Sequence, residues 1–231
     1  FAMDYVGFKE GKLFNTLSGQ LFDFSKIFTQ YISKFINEFS PVKSFLPIGV
    51  IGDNVEMVFT FNYSDTFQKF YVNQQNKTDL TKHLHGSAIQ ENIVFGINDL
   101  SDNLKKYKIY SFVKTYQKII NKTDFLFIDE KTLPLKQKTH TGIIADFNYE
   151  IVVWGHSLDI SDEEYIKEIF NLNSSQNKYN VILIVLFHES EHSSLANLMN
   201  IMGKDIIQEW SKKGWLKFEK SPDIYQIYQD H

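Results

Sequence analysis

The side chains best suited to chemistry lie in three short polar clusters of the sequence. The first is T-F-N-Y-S-D at Thr60–Asp65, the second is H-L-H-G at His83–Gly86, and the third is G-H-S-L at Gly155–Leu158. The amide of Asn62 can both donate and accept hydrogen bonds, so it can hold a ribose hydroxyl or a water molecule. A histidine titrates near neutral pH and can act as general acid or base. Because Gly155 lets a ligand approach the backbone and Ser157 can bind a ribose or phosphate, the third cluster is suited to a nucleotide.

Each cluster also has a purely structural interpretation, and the sequence leaves both readings open. Ser64 or Asp65 can be the N-cap of a following helix, while Ser161 or Asp162 can cap a helix over Glu163–Phe170. The histidines of the second cluster can be satisfied turn residues, and the third cluster can be a simple strand-to-helix turn.

Two other kinds of catalytic site fit the sequence less well. His83 and His85 lie two apart and could share a metal in an extended segment, but no third ligand of suitable spacing is nearby. The H-E-S-E-H stretch at residues 188–192 matches the zinc helix H-E-x-x-H, with Glu189 as general base. His188 directly ends a buried strand, so that helix would have to begin without a turn, and we predict no metal site. The G-H-S-L loop lacks the second glycine of a G-x-S-x-G elbow, which disfavours a serine hydrolase.

The spacing of apolar residues predicts the elements that carry these clusters. Spacings of three and four predict a core-facing helix over Leu21–Phe39, which Pro41 ends. A β-branched and aromatic run predicts a buried strand over Glu56–Phe61, directly before Asn62. The same criteria predict, in order, a helix through Phe67, Phe70 and Tyr71, a strand over Asn92–Ile97, a helix over Tyr107–Ile120 and a long surface loop over Asn121–His140.

The following part of the chain alternates more clearly between strands and helices. Apolar runs predict strands over Tyr149–Trp154 and Val181–Phe187, with a helix over Asp162–Phe170 between them. Alternation of this kind predicts parallel strands joined by helical crossovers in a layered α/β fold. Ligands of such folds bind beyond the carboxyl ends of the strands, which is where the first and third clusters lie.

Composition excludes several classes of function. The chain has 231 residues, 28 acidic residues against 24 lysines, no arginine, no cysteine and a net charge of −4. Missing cysteine removes disulfides and thiolate chemistry and agrees with a reducing cytosol, so we expect a cytoplasmic protein. The acidic balance and missing arginine argue against a duplex-DNA reader, which makes nucleic acid a disfavoured partner. The longest apolar run, Tyr179–Phe187, is far shorter than the ~20 residues that span a bilayer, so we predict no membrane association.

Four motifs in order resemble the AbiH family of bacteriophage abortive-infection proteins. They are Thr60–Asp65, His83–Gly86, F-V-K-T-Y-Q-K-I at Phe112–Ile119 and W-G-H-S-L-D-I-S-D at Trp154–Asp162. The resemblance covers roughly residues 56–206. It implies one AbiH-like domain over residues 1–231, with a helical N-terminal part at 21–55, the motif-bearing core at 56–206 and a C-terminal extension at 207–231.

AbiH proteins in turn look like distant sirtuin-type domains, which implies a Rossmann-like sheet flanked by helices and NAD as the ligand. In that comparison Asn62 contacts the ribose or positions the attacking water, His85 is the catalytic base and Asp65 orients the loop. The resemblance also implies nucleotide contacts from Tyr63, Gly86, Gly155, His156, Ser157 and Asp162.

The sequence departs from the family pattern before Leu21, where the glycine-rich G-N-G-F-D segment expected to cradle the dinucleotide phosphates is not found. We therefore expect this chain to lack the first strand and the glycine-rich loop of the fold. The four-cysteine zinc ribbon of protein-deacylating sirtuins is also missing, which favours cleavage of NAD over deacylation.

Two further functions remain as alternatives. The first is a noncatalytic phage sensor or scaffold, in which the motifs serve structural capping. The second, less favoured, is a metal-dependent nuclease acting through His83, His85 and nearby acids. The expected partners are thus a small nucleotide, a phage component as trigger and, in a homo-oligomer, further copies of the chain.

Overall fold

Parallel strands joined by helices make up the described parts of the chain. The computed structural model describes residues 10–39, 55–70, 81–123, 127–128, 148–174 and 180–222, and these fall into two units. The N-terminal unit holds the described residues up to 127, and the C-terminal unit holds those from 128 onward. The assignment of the whole chain to one domain stays a prediction.

The N-terminal unit contains helices and a two-stranded parallel sheet. Its elements are α1 (Glu10–Tyr31) with a π-helical turn (Ile32–Ile36), β1 (Val58–Thr60), α2 (Thr66–Phe70), β2 (Thr81–His83), α3 (Asp102–Lys105), a 3₁₀ turn (Tyr110–Phe112) and α4 (Lys114–Asn121). Its core contains buried Ile32, Ala88 and Ile93, onto which half-buried apolar residues pack: Phe28, Ile36, Tyr63 and Phe95.

The first helix is longer than predicted and faces the core with fewer residues. It begins at Glu10, and only the line through Phe28, Ile32 and Ile36 packs into the core cluster. Ile27 and Phe35 are 66% and 61% exposed. The prediction that the whole apolar stripe faces the core is therefore wrong, because its residues cover more of the helix circumference than the core can cover.

The strand before Asn62 exists, but it is shorter and less buried than predicted. It spans Val58–Thr60 rather than Glu56–Phe61, and its residues are half-buried. Its partner β2 was not predicted, since T-K-H contains no apolar residue. The two strands are parallel, with Val58 opposite Thr81 and Thr60 opposite His83.

The predicted strand over Asn92–Ile97 is wrong. Ile97 forms only an isolated parallel bridge with Val113. The backbone of Phe95 is hydrogen-bonded at both its N–H and its carbonyl by the side-chain amide of Gln117. A side chain thus satisfies the polar backbone groups for which a strand would use a neighbouring strand.

The predicted helix over Tyr107–Ile120 is divided. Val113 has an extended backbone, with φ −95° and ψ 127°, and separates the 3₁₀ turn from α4. Most of the predicted loop over Asn121–His140 lies outside the described residues, as does Tyr71.

The C-terminal unit is built on three parallel strands in the order β3, β4, β5. The strands are β3 (Asn148–Val153), β4 (Asn180–Phe187) and β5 (Leu216–Lys220), and the helices are α5 (Glu163–Leu172), α6 (His192–Met202) and α7 (Lys204–Lys212). The predicted strands over 149–154 and 181–187 and the helix over 162–170 are confirmed to within one or two residues. The third strand lies in the segment predicted to be an extension.

Strand β4 forms the centre of this unit. Val181, Leu183 and Val185 on one face are at most 1% exposed, and Ile184 and Leu186 on the other face are 9% and 7% exposed, as expected of a strand covered on both faces. Helix α5 buries Ile166 and Ile169, and α7 buries Trp210. The described residues thus form a mixed α/β structure with small parallel sheets flanked by helices, which is compatible with a Rossmann-like arrangement.

Candidate functional site

The first two clusters lie side by side at the carboxyl edge of the β1–β2 sheet. Thr60 pairs with His83, and the Leu84 N–H donates to the Thr60 carbonyl at 2.9 Å. The His83 Nδ1 lies 2.8 Å from the carbonyl oxygen of Asn62. Because a carbonyl oxygen only accepts, Nδ1 carries the proton and a neutral His83 keeps its lone pair on Nε2. The two clusters, which lie about twenty residues apart in the sequence, are therefore joined by direct hydrogen bonds.

Asn62 and His85, the predicted ribose and base residues, differ in their access to water. The Asn62 side chain is exposed, while His85 is 7% exposed. The His85 ring lies edge-on to Phe61, with 5.0 Å between ring centroids. Phe61 was not singled out from the sequence, although its place between the strand and Asn62 could have indicated it.

Gly86 is required by the packing of the turn. Its φ is +77°, and a Cβ atom there would lie 2.1 Å from the carbonyl oxygen of Asn92. The Ser87 N–H and the Asn92 side-chain oxygen close the same turn with a 2.9 Å hydrogen bond. This glycine therefore lets two backbone segments approach each other; its predicted contact with a nucleotide stays a prediction.

Tyr63 and Asp65 support the turn after β1. The Tyr63 hydroxyl donates to the Val94 carbonyl at 3.1 Å. The Asp65 carbonyl accepts from the Lys69 N–H at 3.1 Å, which places Asp65 at the N-cap of α2 as predicted. Its carboxylate lies 3.5 Å from the Lys69 ammonium, an i,i+4 pair on that helix. Both residues fix the position of the backbone that carries Asn62.

The third cluster forms the loop after β3 in the C-terminal unit. Gly155 has φ +69°, is exposed, and has open space where a Cβ would lie. The Ser157 side chain is exposed, and its carbonyl accepts from the Asn197 side-chain amide at 2.9 Å. Asn197 lies on α6 and was not predicted, because nothing in the sequence near residue 157 indicates that helix.

His156 and Asp162 lie together behind this loop. The His156 Nε2 is 3.4 Å from the Asp162 carboxylate, and the His156 Nδ1 accepts from the Leu158 N–H at 2.9 Å. Asp162 is 7% exposed, and the Ser161 hydroxyl donates to it at 3.1 Å. Asp162 is the N-cap residue of α5, as predicted, although its side chain makes no capping hydrogen bond. Asp159 caps the 3₁₀ turn Ile160–Asp162 that precedes α5, since its carboxylate accepts from the Ser161 N–H at 2.9 Å.

A comparison with protein-family models decides the family. The model described as "Bacteriophage abortive infection AbiH" matches residues 4–184 of the chain, which include all three clusters. The chain belongs to the AbiH family. AbiH membership supports a role in phage abortive infection. No curated protein and no solved structure matches the chain significantly.

The H-E-S-E-H stretch of this AbiH chain is split between a turn and a helix. His188 and Glu189 follow β4, and α6 begins only at His192. The two histidines therefore do not lie one helical turn apart on one face, as the zinc helix requires. Across the described ranges, no three His, Asp or Glu side chains are grouped closely enough to hold a metal ion.

None of the described helices of the AbiH chain is long and apolar enough to cross a bilayer.

Proposed function

We propose that this AbiH protein acts in phage abortive infection by binding NAD and cleaving it to nicotinamide and ADP-ribose. The observation that carries the proposal is the paired carboxyl edge of β1 and β2, where an exposed amide after β1 and two histidines, at the end of β2 and just after it, lie in neighbouring segments joined by hydrogen bonds. The choice of NAD rests on the sirtuin-type motif order and on the chemistry of these groups.

The N-terminal unit supplies groups suited to water and ribose. The Asn62 side chain is exposed while its backbone carbonyl is held by His83 at 2.8 Å, so the amide extends from a fixed position. His85 lies in the neighbouring turn after β2, against Phe61, and is largely shielded from bulk water. Shielding of this kind supports a site in which only a bound water reaches the reacting carbon.

In the C-terminal unit, considered by itself, the loop Gly155–Leu158 is suited to bind a ribose or phosphate. Gly155 leaves open space for close approach, and the Ser157 hydroxyl is exposed beside it. This loop follows the carboxyl end of β3, which is the end of a parallel strand where nucleotides bind in α/β sheets.

The proposed reaction is hydrolysis of the bond between nicotinamide and ribose. Asn62 orients a water molecule, whose oxygen bonds to the anomeric carbon as one proton passes to the imidazole of His85. The bond from that carbon to the nicotinamide nitrogen breaks, and its electron pair neutralises the positive charge of the pyridinium ring. The proton on His85 is then released to solvent, so the balance is one NAD and one water to nicotinamide, ADP-ribose and one proton.

The direct test is to incubate the purified full chain with NAD and to measure nicotinamide by chromatography. The His85→Gln variant should lose about 10²–10⁴-fold in rate, the usual contribution of a general base. His192→Ala is the matched control, because this histidine is exposed at the start of α6 and lies outside the four AbiH motifs. Asn62→Ala should also lose activity, while Asn103→Ala, an exposed asparagine on α3, should not. Equal nicotinamide release from wild type and His85→Gln would remove His85 from the mechanism.

A noncatalytic sensor or scaffold is the second candidate, and it is favoured by a specific observation. Several motif residues make contacts inside the N-terminal unit: His83 with the Asn62 carbonyl, Tyr63 with the Val94 carbonyl and Gly86 against Asn92. If structural support is their whole role, wild type releases no nicotinamide. Asn62→Ala and His85→Gln then protect cells from phage as well as wild type does, provided that they stay folded.

A further inference from the structure

The His156 ring is fixed through both of its nitrogens. A backbone N–H can only donate, so the 2.9 Å contact from the Leu158 N–H requires a lone pair on Nδ1. The carboxylate of Asp162 accepts, so the 3.4 Å contact at Nε2 suits a proton on that nitrogen. The arrangement thus selects one tautomer of His156, with the proton on Nε2 and the lone pair on Nδ1.

The partner of Nδ1, Leu158, has a backbone conformation that must be held in place. Its φ is +54°, in the left-handed region that costs a non-glycine residue about 1–3 kcal/mol. Its side chain is 3% exposed and so anchors the end of the loop in the protein interior. The hydrogen bond from its N–H to His156 fixes the same residue from the backbone side.

Between these fixed points, Ser157 is the part of the loop that faces water. Its carbonyl is held by Asn197 at 2.9 Å, whereas its side chain is exposed. The hydroxyl therefore extends from a backbone that is constrained on both sides. A constrained loop of this kind binds a ligand without the entropic cost of ordering itself first.

We propose that His156 is a positioning residue, oriented by Asp162, which holds the loop Gly155–Leu158 in the shape that presents Ser157 to the nucleotide. This role is distinct from the direct nucleotide contact that the motifs implied for His156 and Asp162. The identity of the ligand rests on the proposed function, but the role of His156 in fixing the loop Gly155–Leu158 does not.

Two substitutions distinguish the role of Nδ1 of His156 from the role of Nε2. In His156→Asn, the amide oxygen can occupy the place of Nδ1 and accept from the N–H two residues on, as in an Asx turn. In His156→Gln, the amide lies further out, near the position of Nε2, and the Leu158 N–H loses its acceptor. The loop should therefore survive the first change and loosen in the second.

The test uses the full chain labelled with nitrogen-15. The His156 imidazole signals of wild type should report the tautomer protonated on Nε2. The Leu158 amide should exchange with solvent about tenfold faster in His156→Gln, the factor that corresponds to about 1.4 kcal/mol for one hydrogen bond. In His156→Asn it should stay within about twofold of wild type, because the acceptor is retained.

Three results would overturn the proposal. The wild-type His156 ring could be protonated on Nδ1, the exchange rate of the Leu158 amide could be unchanged in His156→Gln, or the Leu158 amide could lose its protection from exchange equally in both variants. If His156→Gln does not fold, the wild-type tautomer of His156 and the exchange rate of the Leu158 amide in His156→Asn still test the proposal.

Titration with NAD separates this proposal from the proposed function. We expect affinity to fall about tenfold in His156→Gln and to stay near wild type in His156→Asn, since one hydrogen bond orders the loop. If wild type does not bind NAD but Leu158 exchange behaves as expected, the proposed ligand is wrong and the positioning role stands. If NAD binds all three proteins equally, His156 does not present Ser157.

Discussion

Replacing Gly86 with alanine should destabilise the N-terminal unit strongly, for two separate reasons. The residue has φ +77°, a conformation that costs an L-residue about 1–2 kcal/mol. The new Cβ would also lie 2.1 Å from the Asn92 carbonyl oxygen, which is backbone and cannot rotate away. Overpacking of this kind typically costs about 1–3 kcal/mol. The expected loss in free energy of unfolding is therefore about 2–5 kcal/mol, the sum of both terms.

Gly155→Ala is the matched control, because it shares the backbone conformation without the collision. Its φ is +69°, and nothing lies within 4 Å of the Cβ position. Only the conformational term applies, so we expect a loss of about 1–2 kcal/mol in the C-terminal unit.

Hydrogen exchange of peptides from each unit, followed by mass spectrometry, measures both changes separately. This separation matters because two units need not unfold as one. If Gly86→Ala costs no more than Gly155→Ala, the close approach of Gly86 to Asn92 is not a real constraint on the turn.

Three other predictions concern the C-terminal unit and use its free energy of unfolding in urea. Trp210→Ala should cost about 3–5 kcal/mol, because this residue is 4% exposed and packs 4.2 Å from a phenylalanine ring of α5; a cost under about 1 kcal/mol would mean that α7 is not part of the core. Asn173→Ala should cost about 1–3 kcal/mol, because its side chain satisfies both the N–H and the carbonyl of Val181 at 2.8 Å; a neutral effect would contradict that pairing. Burial raises the pKa of Tyr165, and the neighbouring Glu164 raises it further, so the folded state binds the phenolic proton more tightly than the unfolded state. The stability that this group contributes is complete below the unfolded pKa of about 10 and falls as pH rises above it. Tyr165→Phe should therefore reduce the fall in the free energy of unfolding at alkaline pH. An unchanged slope of that free energy against pH would contradict the raised pKa of Tyr165.

The elements that the sequence predicted well are those whose own apolar pattern forms the core. Strand β4 contains a continuous apolar run, and most residues of this run are buried as expected. Helix α5 places Tyr165, Ile166, Ile169 and Phe170 on one face, and it buries these four together with Leu172. In both cases the local pattern is itself the cause of the packing.

The elements that the sequence missed depend on partners elsewhere in the chain. Strand β2 has three residues and exists because it pairs with β1. The run over Asn92–Ile97 has the composition of a strand, but Gln117 takes the backbone hydrogen bonds of Phe95 within it. Strand β5 does show an alternating pattern, L-K-F-E-K, and its pairing with β4 makes it part of the sheet.

For the candidate site, the motifs located the loops but not the contacts within them. The sequence placed the first and third clusters after strands, and the structure confirms both positions. It could not show that His83 holds the Asn62 carbonyl, because that bond depends on the register of β1 and β2. It likewise could not show that His156 faces Asp162, since the turn between them decides it.

If this AbiH protein consumes NAD during phage infection, the concentration of NAD in infected bacteria falls, and that concentration can be measured in the cells. Cells carrying the wild-type chain or His85→Gln would be compared after infection, with His192→Ala as the control and protein levels matched. We expect NAD to fall in infected wild-type and His192→Ala cells but not in His85→Gln cells, and we expect protection from phage only in the cells where NAD falls. Protection by wild type with constant NAD would contradict the proposed consumption of NAD.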